Sequence, residues 1–262
     1  RIFKNVKRAV FTNYPVYHYR VFNNSLTHRC PTENFLSAIQ TVEKIAHHKD
    51  IIFAYPIYYS NLPKIVRDFI CGNSEIWQGK RIFILATMGL FSGDGAGVAA
   101  RLFRKYGTQI WGGLHLKMPD CICDVKTLKR SPAQNKQIVA KAEERIKLSV
   151  SNLKNGAPSK NGLSFLSHIA GLLGQRLWFW NKTQKYSDKV HININACIKC
   201  GQCVAICPMK NLSLSQNEIK ASGHCTLCYR CVNQCSSKAI TILGTQVVSQ
   251  YSVYDFQQNK RN

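Results

Sequence analysis

Eight cysteines crowd into residues 197–235, and no other feature constrains the fold as tightly. Cys197, Cys200, Cys203 and Cys207 recur as Cys225, Cys228, Cys231 and Cys235, each shifted by 28 positions. The repeat runs past the thiols, because "CIKCGQCVAICPMKNLSL" aligns with "CTLCYRCVNQCSSKAITI". One short unit has been duplicated within the chain. Each copy is expected to set three thiols on a tight loop and the fourth on the first turn of a helix. The N-terminal stretch "RIFKNVKRAVFTNYPVYHYRV" has no apolar segment followed by a small-residue cleavage site, so no secretory signal is visible. A disulfide framework is then a poor explanation for the thiols, and metal binding in a reducing compartment is the better one.

The spacing favours a cubane iron–sulfur cluster over a single ion. A cubane needs four thiolates at four corners; three close ligands wrap one cluster and the fourth comes from the other repeat, as in the run C-x₂-C-x₂-C-x₃-C-P. On that pattern Cys197, Cys200, Cys203 and Cys235 serve cluster one, and Cys225, Cys228, Cys231 and Cys207 serve cluster two. A zinc ribbon instead uses two cysteine pairs across a long gap, and the third cysteine of C-x₂-C-x₂-C has no role in tetrahedral zinc. Pro208 stands where the run expects it, whereas the second copy has Ser236. That exchange leaves an N–H near Cys235, a new donor able to tune cluster one. Both motifs resemble the bacterial two-cluster ferredoxin domain at every cysteine. The resemblance implies two [4Fe–4S] clusters that each pass single electrons.

Residues ahead of the cysteines alternate apolar runs with amphipathic stretches. "DIIFAY" (50–55), "RIFILAT" (81–87) and "TQIWGGLHLKM" (108–118) read as buried strands of a parallel sheet. A further strand is expected in "VYHYRVF" (16–22). The helix "TENFLSAIQTVEKIAHH" has Thr32 as N-cap and a stripe of Phe35, Ile39, Val42 and Ile45. "LPKIVRDFICG" and "GVAARLFRKYG" end in glycine, a common helix stop. "SPAQNKQIVAKAEERIKLSVSNLKNG" opens on Ser-Pro and carries Val139, Ala142, Ile146, Val150 and Leu153 on one stripe. The alternation predicts a doubly wound α/β sheet. "NGAPSKNG" (155–162) has the composition of a linker. Beyond it Leu166, Ile169, Leu173, Leu177 and Trp180 share one helix side, expected to pack between the two halves. A membrane-surface helix is the alternative, and its polar face carries too little basic charge to favour it.

Two loops follow strands of this sheet, where such sheets bind ligands. In "FAYPIYYSNLPKIVRDFI", Tyr58 and Tyr59 lie just past a strand end; "ATMGLFSGDGAG" (86–97) is glycine-rich and allows backbone amides to approach a ring or an anion. Taken singly, the tyrosines can be surface aromatics and the glycine loop a plain turn. Together the loops resemble the second and third flavin-binding loops of the flavodoxin family. The order of parts, with "GGLHLKMPDC" and "GLLGQRLWFW" between the loops and the cysteines, resembles the EFR-type flavodoxin–ferredoxin fusion proteins of anaerobic bacteria and archaea. What that resemblance implies is an α/β flavodoxin-like doubly wound parallel sheet followed by a small α+β two-cluster ferredoxin domain. It also implies FMN held by Pro56, Tyr58, Tyr59, Asn61, Thr87, Met88, Gly89, Gly93 and Gly95. The flavodoxin phosphate loop, of the type T-G-T-G-N-T, has no counterpart before residue 50, and the sequence begins with Arg1 rather than Met. The expectation is that the first strand and loop are missing from the front, with lost FMN affinity as the alternative. The expected domains are 1–155, flavodoxin-like; 156–187, linker and packing helix; 188–245, two-cluster ferredoxin; and 246–262, a tail.

A formal charge of +23 comes from scattered Lys and Arg without a run of five or six. Acidic redox partners, or solubility alone, explain it better than nucleic acid, for which no recognition motif is present. No apolar run reaches the length of a bilayer-spanning helix, and a cytoplasmic location is expected. His115 and the Cys121/Cys123 pair flank "LKMPD" and read as plain groups; the eight histidines form no HExxH or triad pattern, so hydrolase chemistry has no support. The leading expectation is an electron carrier, or a flavin-dependent oxidoreductase if FMN is bound. The alternatives are a ferredoxin carrier with a flavin-free docking scaffold, and a regulator that responds to cluster loss. The sequence leaves the oligomeric state open.

Overall fold

The three apolar runs become three parallel strands, β1 (Asp50–Pro56), β2 (Arg81–Met88) and β3 (Gln109–Lys117), adjacent in the order β1-β2-β3. The bounds of these three strands agree with the expected runs to within a residue. The structure is a computed structural model and describes residues 45–58, 61–120, 128–177 and 190–242. The expected strand at 16–22, the Thr32 cap, Tyr59, Cys30, Cys121, Cys123, Trp180 and the 246–262 tail lie outside the described residues.

Helices cover both faces of this sheet. Alternate residues of β2 point to opposite sides, so Ile82, Ile84 and Ala86 join one core and Phe83 the other. Helices α1 (Lys64–Gly72) and α2 (Gly95–Arg104) close the first side. Its centre is aromatic: Phe103 lies 5.0 Å from both Phe53 and Trp77 in edge-to-face contact. The buried Trp77 indole donates to the Ile70 carbonyl at 2.8 Å, so its one polar atom is satisfied. Helix α3 (Pro132–Lys154) covers the second side through Ala142, Ile146 and Leu153. Ser131 caps it in a reciprocal pair with Gln134, worth about 1 kcal/mol by the usual cost of losing a cap. Sequential parallel strands with helices on both faces are an α/β arrangement.

Two expectations change. "NGAPSKNG" is not a free linker: Gly113 N–H donates to the Ser159 carbonyl (2.8 Å) and Asn161 N–H to the Gly113 carbonyl (2.9 Å). This segment satisfies β3 edge groups that a linker would leave to water. The helix beyond it, α4 (Phe165–Gly171), runs on through a π-turn at Leu172–Arg176. Its stripe does not pack between the halves, since Leu166, Leu173 and Leu177 are 60–77% exposed. The helix docks by its other side, where Gly171 permits backbone contact with Gly93 and where His168 and Arg176 reach Asp94. A buried carboxylate requires cations, and that requirement turns the helix.

The cysteine-rich half is small and two-fold. β4 (His191–Ile192) from its start pairs antiparallel with β7 (Ile240–Thr241) from its end. Between them β5 (Leu212–Ser215) and β6 (Glu218–Ala221) form a hairpin whose turn residues, Gln216 and Asn217, both have positive φ, as a two-residue hairpin loop requires. Helices α5 (Gln202–Ile206) and α6 (Arg230–Gln234) carry the third thiol of each repeat, Cys203 and Cys231. The fourth, expected on the helix's first turn, instead follows its C-terminal end as Cys207 or Cys235. Leu212, Leu227, Val232, Ile240 and Ile242 form a separate core, while Met209, two residues past Cys207, packs against the aromatic core of the α/β half.

Candidate iron–sulfur centre

The duplication seen in the sequence is also a duplication of backbone conformation. Lys199 and Leu227 have φ of 58° and 59°, Gly201 and Tyr229 71° and 56°, and Lys210 and Lys238 50° and 52°. A non-glycine residue held there costs about 1–3 kcal/mol and persists where the surroundings over-determine it. Here the bent backbone aims amides at sulfur. Asn211 N–H donates to Cys207 Sγ (3.2 Å), and Ala239 N–H, its counterpart, to Cys235 Sγ (3.3 Å). Leu227 N–H reaches Cys225 Sγ at 3.4 Å. Burial raises the pKa of Cys203, Cys228 and Cys231, and the amides of Val204, Arg230 and Val232 partly oppose that rise. Donors aimed at sulfur favour its charged form.

The thiols gather around two foci. Cys203 has Cys197, Cys235 and Cys200 as its charge neighbours. Cys231 has Cys228, Cys225 and Cys207. One cavity is lined by Cys207, Cys225, Cys228 and Cys231 together, so a thiol of the first repeat faces three of the second. All eight are free thiols. Burial raises the pKa of Cys203 and Cys225, pushes Cys228 up to about 11 and lifts Cys231 further, with the neighbouring thiols adding to it. Such thiols ionise only against a compensating cation. Among the described residues no three His, Cys, Asp or Glu side chains converge on a point where they could hold one ion. Four thiols spread around a cavity suit a polyatomic group with one corner for each. Thr226 also lines this cavity, and its buried Oγ1 has no hydrogen-bond partner among the described residues, which leaves a donor for what fills the space. The residues present therefore fit a cubane cluster.

The flavin positions fit less well. Pro56 is buried at the end of β1, and half-buried Tyr58 exchanges two backbone hydrogen bonds with Asn61 (3.1 and 2.8 Å). Asn61 Oδ1 accepts from Leu62 N–H (2.8 Å) and from Arg67 (3.3 Å). The Thr87 carbonyl accepts from Ile57 N–H, the Met88 carbonyl from Met118 N–H, and Gly89 faces Leu128. Gly93 (φ +57°) and Gly95 are glycine for a different reason from the one expected. A Cβ on Gly93 would lie 2.4 Å from the Gly171 Cα, and one on Gly95 2.1 Å from Ile57 Cδ1. Their missing side chains admit the Gly171 backbone and the Ile57 side chain. Between them Asp94, wholly buried, meets Arg101 (2.8 Å), His168 (2.9 Å) and Arg176 (3.0 Å). The glycine loop is thus a seat for α4.

His115 is likewise structural. It is buried, its Nε2 accepts from Ala96 N–H at 3.1 Å, and burial pushes its pKa down to about 4. Two residues near the thiols escaped the sequence reading. The Ser237 hydroxyl, one position past Ser236, lies 3.4 Å from Cys235 Sγ. Asn211 is buried; its Oδ1 accepts from His224 N–H (2.6 Å), and its carbonyl accepts from Ser222 N–H (2.9 Å). It ties the segment after Cys207 to the approach to Cys225. Both break the repeat, standing opposite Met209 and Ala239, and that asymmetry was the signal available.

No curated protein matches the chain. Residues 196–240 match the family model of the 4Fe-4S dicluster domain, and the chain therefore carries a ferredoxin-type domain over its cysteine-rich half.

Proposed function

We propose that this chain is a one-electron carrier in which Cys197, Cys200, Cys203 and Cys235 hold one [4Fe–4S] cluster and Cys225, Cys228, Cys231 and Cys207 hold the other. The observation that carries the crossed assignment is the cavity lined by Cys207 together with Cys225, Cys228 and Cys231. The family match over residues 196–240 supports two clusters and electron transfer through them. When bound, each cluster supplies one-electron redox capacity. The chain's residues then have three tasks: to hold the thiolates, to aim amides at them and to exclude water from the second site, where Cys231 is buried.

The α/β half serves in this reading as a flavin-free scaffold of flavodoxin type. Supporting it are the three parallel strands and a glycine loop filled by Gly171 and Ile57. The excess of basic over acidic residues (+23) suits an acidic redox partner. Paired variants test the ligation. With Cys207→Ser the second cluster should be damaged and the first retained, and Cys235→Ser should do the reverse, read by iron content and electron paramagnetic resonance of the reduced protein. Each variant harming the cluster of its own repeat would overturn the crossing. Flavin released on denaturing the full-length protein would overturn the flavin-free scaffold.

A further inference from the structure

We infer that the Thr226 hydroxyl is a hydrogen-bond donor to the second cluster and raises its reduction potential, so the two clusters of the duplicated domain differ through this side chain. The inference rests on the ligand set proposed above. Thr226 sits between Cys225 and Cys228 and lines the same cavity as the four thiols. Only 9% of it is exposed, and its Oγ1 is buried without a hydrogen-bond partner among the described residues. A buried hydroxyl left alone is costly, and native interiors rarely leave one so. The polar neighbour Asn211 does not take it, being engaged by His224 and Ser222. The cavity that Thr226 lines is shared with Cys207, Cys225, Cys228 and Cys231. The first copy offers no equivalent, because Ile198 stands 28 positions earlier and is exposed.

The consequence follows from charge. Reduction adds one negative charge to the cluster and its thiolates, and a donor held against them stabilises that form more than the oxidised one. Hydrogen bonds to sulfur are one of the levers that set cluster potentials. Thr226 is a positioning and tuning residue and not a ligand, so its loss should leave the iron content unchanged.

The test is a redox titration of the full-length holoprotein, followed by electron paramagnetic resonance, for wild type, Thr226→Val and Thr226→Ser. Valine keeps the shape and removes the hydroxyl; serine keeps the hydroxyl. One cluster of Thr226→Val should shift to a more negative potential by about a tenfold change in its reduction equilibrium, ~59 mV for one electron. The other cluster should stay in place, and Thr226→Ser should stay near wild type. Identical potentials in all three proteins, with full iron content, would overturn the inference and leave the ligand set standing. A shift in both clusters equally would also overturn it. If Thr226→Val and Thr226→Ala both lose a cluster that Thr226→Ser retains, the hydroxyl supports assembly and tuning is refuted. A wild-type protein without two clusters would instead refute the ligand set.

Discussion

Replacing Asp94 by alanine should loosen α4 and leave the clusters intact. Asp94 is wholly buried, and of its three cations Arg176 is the most enclosed, with 11% of its side chain exposed, against 36% for His168 and 41% for Arg101. The outer two are screened by water and contribute little, on the order of 1 kcal/mol or less each. The Arg176 pair decides the outcome, because removing one partner of a buried pair leaves a charge unmatched and costs roughly 3–5 kcal/mol. We expect about 3 kcal/mol, and somewhat less for Asp94→Asn, which keeps the volume and one acceptor. Spread over the docking of α4, that equals roughly a hundredfold faster amide exchange across residues 165–177, at ~1.4 kcal/mol per tenfold. The assay is hydrogen–deuterium exchange with mass spectrometry, alongside urea unfolding. Asp68→Ala is the control: its pair with Lys64 is exposed (49% and 65%) and should be worth less than about 0.5 kcal/mol. If Asp94→Ala matched that control, or left exchange in α4 unchanged, the latch would have no energetic role.

Other outcomes follow from the same geometry. His115, held neutral by burial with a pKa of about 4 against an ordinary 6.5, contributes stability that is fully present above pH 6.5. As the pH falls the unfolded chain takes up this proton first, so about 2 kcal/mol should be lost by pH 5. Urea midpoints of wild type minus His115→Gln should narrow over that window, and a constant difference would remove His115 from the acid response. Gly93→Ala puts a methyl 2.4 Å from the Gly171 Cα at a positive φ, so the thermal midpoint should fall by several degrees, and an unchanged midpoint would contradict the close docking of α4. Asn211→Ala removes the acceptor of His224 N–H, at about 1–3 kcal/mol. Iron release to a chelator should become biphasic, with one cluster faster; a uniform rate would argue against its local role.

The strands and the ferredoxin-type domain were legible in the sequence because both rest on local pattern. Continuous apolar runs such as "RIFILAT" have only one comfortable place in an α/β domain, and a run of closely spaced cysteines repeated at 28 positions has few chemical uses. The backbone that approaches the glycine loop was not legible, because glycine gives the same signal whether a ring or another backbone approaches it. Its true neighbour, Gly171, lies 78 positions from Gly93. The stripe of Leu166, Leu173 and Leu177 likewise looked buried from its periodicity alone. The helix orientation is set by Asp94, His168 and Arg176, three residues whose meeting no local window contains. Thr226 was not legible, because a threonine between two cysteines says nothing about which cavity it lines.

Two clusters on one short duplicated segment make a simple count the most direct test. The full-length protein, purified without oxygen, should carry about eight iron and about eight acid-labile sulfide per chain, in keeping with two four-iron clusters, and its reduced spectrum should show two interacting paramagnets. Zinc in place of iron, or about four iron with an isolated paramagnet, would contradict two clusters held by crossed ligands.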